Sequence, residues 1–227
     1  NNTLTVNVTA VTNLVVDGVV RGESIMLEST QGDLILQPGG NGNGTATLAV
    51  LEGLGESSAV ALKAQEAVIQ AQDSDRSGEL ADLNTEFADF TPGANIIAHS
   101  LQIEADGLVR ADLAGIDSLS LAGHGVDVRI RYTGDLTLAE VGITGEDSRL
   151  ELQTHTALEQ TLSDAASETV ANARAKLILG TIDSAGSVML NAAGGIDYLD
   201  AQTPALQAAR LDLRAGGSVN LRTQTTR

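Results

Sequence analysis

The chain has 227 residues, enough for one large domain or two small ones, and sets 30 Asp+Glu against 13 Lys+Arg for a net charge of −17. That acidity argues against nucleic acid or an anionic membrane as a partner, and the lack of cysteine excludes disulfides, thiol chemistry and Cys-ligated zinc or iron–sulfur sites. With two Phe, two Tyr and no Trp, the aromatic platforms of sugar sites and protein hot spots are missing, and a core must be built from Leu, Val, Ile and Ala.

The chain opens NNTLTVN, with neither an initiator methionine nor a charged-then-apolar leader. It reads as a mature protein or a segment of something longer. No apolar run reaches membrane-spanning length, so no membrane insertion is expected. The first clear unit is SIMLESTQGDLIL (24–36): apolar-x-apolar, a turn with Gly, then apolar-x-apolar again. Alternation with period two over four to six residues predicts strands with one buried side. PGGNGNGTATL (38–48) follows. It resembles a calcium-binding glycine nonapeptide at Gly39, Gly40 and Gly42, but Gly44 stands where the carboxylate is required, so it reads as a Gly-rich loop.

Residues 52–95 break the rhythm and are predicted to form an irregular insertion. Within it, AVALKAQEAVIQAQ (59–72) fits a helix or another β-coil, because Val60 and Leu62 alternate before a turn. DSDRSGELADLN (73–84) resembles the start of an EF-hand loop. Asp73, Asp75 and Ser77 are candidate side-chain calcium ligands, Gly78 takes the sharp bend, and Glu79 offers its carbonyl. The closing bidentate Glu is replaced by Asn84. A solvated polar turn is the competing reading.

The β-rhythm returns in SLQIEADGLVRADL (100–113) and SLSLAGHGVDVRI (118–130). THTALEQTLSDAASETVANARAK (154–176) interrupts it, with Leu158, Leu162, Ala166 and Val170 every fourth residue. Thr156 with Glu159 fits a capping box, so a helical insertion of about four turns is predicted. VMLNAAGGIDYL (188–199) and LDLRAGGSVNL (211–221) resume the repeat. GSVML (186–190) and GSVNL (217–221) share their opening, as do GDLIL (32–36) and GDLTL (134–138).

One such unit cannot bury its apolar side alone; stacked units can. The expectation is a β-solenoid of roughly seven to nine coils and about 35–45 Å. Leu27, Ile103, Leu121, Leu190 and Leu213 are candidate ladder residues. A pair of antiparallel β-sandwiches is the alternative, since it also produces short alternating strands.

LDLRAGGSVNL and SVMLNAAGGIDYL resemble the repeats of filamentous-haemagglutinin-type adhesins and related giant bacterial exoproteins, with SLQIEADGLV and SLSLAGHGVDV looser matches. The resemblance implies a right-handed parallel β-helix, from which residues 52–95 and the predicted helical segment depart, so the expected fold is mainly β with a short α-helical insertion. Residues 1–227 would then be one solenoid segment of a longer extracellular or cell-surface protein, acting as a stalk, fibre or adhesive surface. Partners would be neighbouring segments or further copies of the same protein and a cell-surface or matrix receptor. A calcium-dependent binding module is the second hypothesis. A polysaccharide-degrading β-helix enzyme is the third, with Asp33, Asp135 and Asp212 as its carboxylates. Each of these reads more simply: Asp33 and Asp135 follow a Gly at a corner, where Asp is a good turn former, and Asp212 lies on the solvent side of a strand. His99, His124 and His155 are dispersed and read as turn or surface residues. No catalytic residue is assigned.

Overall fold

A computed structural model describes residues 4–37, 49–70, 95–155, 175–198 and 206–220. All strand pairings in it are parallel. That removes the antiparallel sandwich alternative, whose strands pair by hairpins and Greek keys. The parallel sheet winds nearly closed, as in a solenoid.

Two long faces carry most of the pairing. Face 1 stacks β1 (Thr5–Ala10), β4 (Ser24–Ser29), β7 (Ala59–Ala64), the second half of β9 (Asn95–Ala105), β11 (Ile116–His124), β13 (Leu136–Thr144) and the first half of β15 (Leu177–Ala192). Its last rung is β16 (Ile196–Tyr198) with the start of β17 (Leu206–Ala215). Face 2 stacks β2 (Leu14–Asp17), β5 (Leu34–Gln37), β8 (Ala67–Gln70), β10 (Leu108–Ala114), β12 (Asp127–Thr133), β14 (Arg149–His155) and the second halves of β15 and β17. Eight rungs at the inter-strand spacing span about 34 Å. A short third side, β3 (Val20–Gly22), β6 (Ala49–Gly53) and the first residues of β9, closes the early coils.

The core consists of aliphatic ladders. On face 1, Leu27, Leu62, Ile103, Leu121, Val141 and Ile182 follow one another in register, each 3% exposed or less. On face 2, Ile130, Leu152 and Leu190 do the same, and a partly buried Leu213 continues the ladder. Leu27, Ile103 and Leu121 therefore share a ladder, whereas Leu190 and Leu213 belong to the opposite one. Each fully buried Leu, Ile or Val contributes on the order of 1.5–3 kcal/mol. Such ladders compensate for a core almost without aromatic rings.

Polar side chains at the corners tie one coil to the next. Asp33 N–H donates to Asn13 Oδ1 (3.0 Å), His124 N–H to Asp106 Oδ1 (3.1 Å) and Lys176 N–H to Asp135 Oδ1 (2.7 Å). Ser148 closes the corner after β13. Its N–H donates to Gly145 O (3.1 Å) and its hydroxyl to Thr144 O (2.7 Å), with Gly145 at φ +97°. Gly180 has a different reason to be glycine. It lies against a register shift that leaves Ala139 bulged, and a Cβ there would run into the Ala139 carbonyl.

Several expectations are corrected. In uninterrupted coils the period, set by pairings such as Leu14↔Leu34, Val109↔Val128 and Val128↔Leu150, is 19–22 residues, interrupted coils such as Val60↔Leu101 run longer, and the repeated words follow no single period. Leu34 of GDLIL starts a face 2 strand, whereas Leu136 of GDLTL starts a face 1 strand. Val188 of GSVML pairs with Leu211, and Val219 of GSVNL bridges to Ile196. Gly followed by Ser or Asp marks the exit from any corner, so it recurs without marking register.

Of the stretch 52–95 expected to be irregular, residues 71–94 lie outside the described residues and much of the rest is strand. Residues 52–53, 59–64 and 67–70 are strands of β6, β7 and β8, which decides 59–70 for a β-coil over a helix. Among the described residues there is no helix. The helical insertion predicted for 154–176 lies outside them over 156–174; its ends are not helical, since Thr154 and His155 close β14 and Ala175 and Lys176 lead into β15. The chain leaves face 2 at β14 and re-enters the stack at β15 in register, so this segment interrupts a coil without displacing the next. The Gly-rich loop of 38–48 also lies outside the described residues.

Candidate functional surface

The outward positions of the two faces differ in chemistry. On face 1 they are mostly small or neutral. One row runs Ser24, Ala59, Ser100, Ser118 and Thr137, and another runs Met26, Ala61, Gln102 and Ser120. Its charged groups are chiefly acidic: Glu28, Glu104, Glu140 and Asp183. Lys63 pairs with Glu104 at 3.1 Å, and both side chains are roughly half exposed. The Glu104 hydrogen bond and charge raise the Lys63 ammonium above its ordinary value.

Face 2 gathers arginine. Its strands read VRA, DVRIRY, RLELQ and RLDLR, and the alternation turns each charged residue outward. Parallel register then lays Arg110 beside Arg129, Asp127 beside Arg149, and Arg210 beyond Ser187. Of the nine Lys and Arg among the described residues, six (Arg110, Arg129, Arg131, Arg149, Arg210 and Arg214) stand on this strip.

Asp127 is the hub at the upper end. Its Oδ2 accepts from Arg110 Nη2 at 2.7 Å and lies 3.7 Å from Arg129 Nη2, while Arg110 Nη1 donates to the Asp127 carbonyl (2.8 Å) and the Val109 carbonyl (2.9 Å). The Arg110 side chain is only 12% exposed. Burial pulls its guanidinium below the ordinary value; the Asp127 bond and charge oppose that, and Arg129 and Arg149 push it down further. Arg110 Nε, Arg129 Nε and Asp127 Oδ1 are buried without a hydrogen-bond partner among the described residues. Lower down, Arg149 pairs with Glu151 (2.8 Å) and Arg214 with Asp212 (3.2 Å). Arg210 is exposed and has no ion pair among the described residues. Gln153, Ser187 and Asn191 add neutral donors and acceptors between the charges.

Among the described residues, the candidate site residues singled out in the sequence are not brought together. Asp73, Asp75, Ser77 and Glu79, the candidate calcium ligands, lie outside the described residues. Asp33 and Asp135 stand at corners, where Asp135 caps a backbone N–H of the next coil, and Asp212 is on face 2 beside Arg214. His99 Nδ1 meets Asp117 Oδ2 at 2.9 Å, both exposed. Ser58 reaches the same corner, but its hydroxyl accepts from the His99 backbone N–H (3.1 Å), not from the ring. The residue types of a nucleophilic triad thus adjoin without its geometry. His124 Nδ1 meets Thr144 Oγ1 (2.9 Å) at the far edge of face 1, and His155 ends β14 on face 2. Among the described residues, no group of three or more His, Asp or Glu side chains is arranged to hold a metal ion.

The arginine strip was not singled out from sequence. Its six members spread from residue 110 to residue 214 and are adjacent only after stacking. The available signal was the contrast between charged strands such as RLDLR and neutral ones such as SLSLA at the same alternating positions. Comparison with family models, with curated proteins and with solved structures finds no match.

Proposed function

We propose that this chain is a structural and adhesive segment of a large secreted or cell-surface bacterial protein, a right-handed parallel β-helix that acts as a stiff spacer and displays its outer faces. The observation that carries the reading is the register. Aliphatic ladders run through consecutive rungs on both faces, and parallel backbone pairing runs beside them. Bending such a rod means opening hydrogen-bond ladders and core contacts together. The resemblance of the Gly-punctuated aliphatic units to exoprotein repeats supports the location and the hand of the helix.

The absence of cysteine permits a clean test. Cysteines placed at Asn7 on β1 and Gln207 on β17, labelled with a donor and an acceptor dye, should report one narrow distance corresponding to about seven inter-rung steps, roughly 34 Å. That distance should hold until the cooperative unfolding transition. A broad distribution in native buffer would remove the stiff-spacer reading.

A further inference from the structure

We propose that the outer strip of face 2 is a binding surface for a linear anionic polysaccharide, with Arg129, Arg149 and Arg210 receiving its carboxylate or sulfate groups. It rests on the adhesive part of the functional reading and names the ligand class of that surface.

Three observations carry it. First, two-thirds of the described cationic side chains share one face of a chain whose net charge is −17. A ligand responds to the local field and not to the sum, so this face attracts anions that the rest of the molecule repels. Second, the cations on the strip are all arginine. The planar guanidinium fork matches carboxylate and sulfate oxygens, and pairing with one acid leaves other N–H donors available. Arg149 and Arg210 share one outward row, two rungs or about 9.6 Å apart. That repeat suits an extended polymer lying along the rod.

Third, the strip is not purely basic. Six arginines are interleaved with Asp127, Glu151 and Asp212. Nucleic acid presents few hydroxyl donors outward to meet those carboxylates. A sugar polymer carries anionic groups and hydroxyl donors along one chain. Its anions suit the arginines, and its hydroxyls can donate to the carboxylates and exchange hydrogen bonds with Gln153, Ser187 and Asn191. The shortage of aromatic residues agrees with polar, not stacking, recognition.

The test uses the whole chain immobilised at low ionic strength, with a chelator present so that no divalent cation bridges polymer to protein. The probes are polygalacturonate for uronate, dextran sulfate for sulfate, neutral dextran and duplex DNA. Retention of polygalacturonate, dextran sulfate or both, falling as salt rises, with dextran and DNA passing through, is the expected result. The triple variant R129Q/R149Q/R210Q should bind at least about tenfold more weakly while its circular dichroism and unfolding midpoint stay near the parent's. K63Q on face 1 should bind as the parent does. Failure of both anionic polysaccharides to bind, undiminished binding by the folded triple variant, or DNA binding as tight as the polysaccharide would each overturn the proposal. None of these outcomes alters the dye-pair distance, so failure of the surface and failure of the rod remain distinguishable.

Discussion

The two long faces share an interior and differ on the outside. Inward, Leu62, Ile103, Leu121 and Val141 of face 1 correspond to Ile130, Leu152 and Leu190 of face 2, all 3% exposed or less. Outward, face 1 shows Ser, Ala and Gln around an exposed Lys63–Glu104 pair, while face 2 shows arginines around Asp127. A solenoid needs only half of each strand to build its core. The other half is free to vary, and what it becomes depends on which outward residues register makes neighbours.

If the faces share one core, truncating either ladder should cost the same. Leu152→Ala on face 2 and Leu138→Ala on face 1, both fully buried, should each destabilise by about 2–5 kcal/mol, read from the denaturant midpoint at unchanged slope. A loss confined to one of the two would show that the faces unfold separately.

The outer difference should appear next. Asp127→Ala leaves the mostly buried Arg110 and the partly buried Arg129 together without their shared counter-charge. A cost of about 1–3 kcal/mol is expected, and Asp127→Asn should recover part of it. An effect near zero would make the cluster a surface ornament and weaken the contrast between the faces.

A smaller effect belongs to the inner side of face 2, where Tyr132 lies between Leu113 and Thr154. Its hydroxyl accepts from Ile116 N–H (3.1 Å) and donates to Ile116 O. Burial raises the phenol above its ordinary value. The folded state therefore holds that proton more tightly than the unfolded state does. Its contribution is complete below about pH 10 and is lost as pH rises beyond it. Tyr132→Phe should cost about 1 kcal/mol at neutral pH, and the gap to the parent should narrow above about pH 10. A gap unchanged to higher pH would mean that the phenol does not titrate differently on folding. Smallest of all, Glu104→Gln on face 1 should change stability by less than about 0.5 kcal/mol, because its pair with Lys63 is exposed and solvent-screened. A cost equal to that of Asp127→Ala would erase the distinction between the faces.

Much of the fold was legible in the alternation. SLQIEA and SLSLA were readable as strands, and Leu27, Ile103 and Leu121 as core, because period two is a local property of the backbone. Residues 59–70 were ambiguous because Ala, Gln and Glu favour helix while Val60 and Leu62 alternate; stacking on β4 and β9 decided for strand. The candidate site was less legible. The signal that stood out, Asp73, Asp75 and Ser77, is a local word, whereas the arginine strip is a product of stacking.

What the sequence determined by itself was therefore which side of each strand faces in, and that the strands must stack to bury it. Only the tertiary structure decided which rung lies on which, since register depends on corner lengths and on how far each interruption carries the chain before it returns. The same structure decided where the charge went. Net charge is a sum over the chain, but Arg110, Arg129 and Arg149 became neighbours of one aspartate because coils of 19–22 residues brought them to one face.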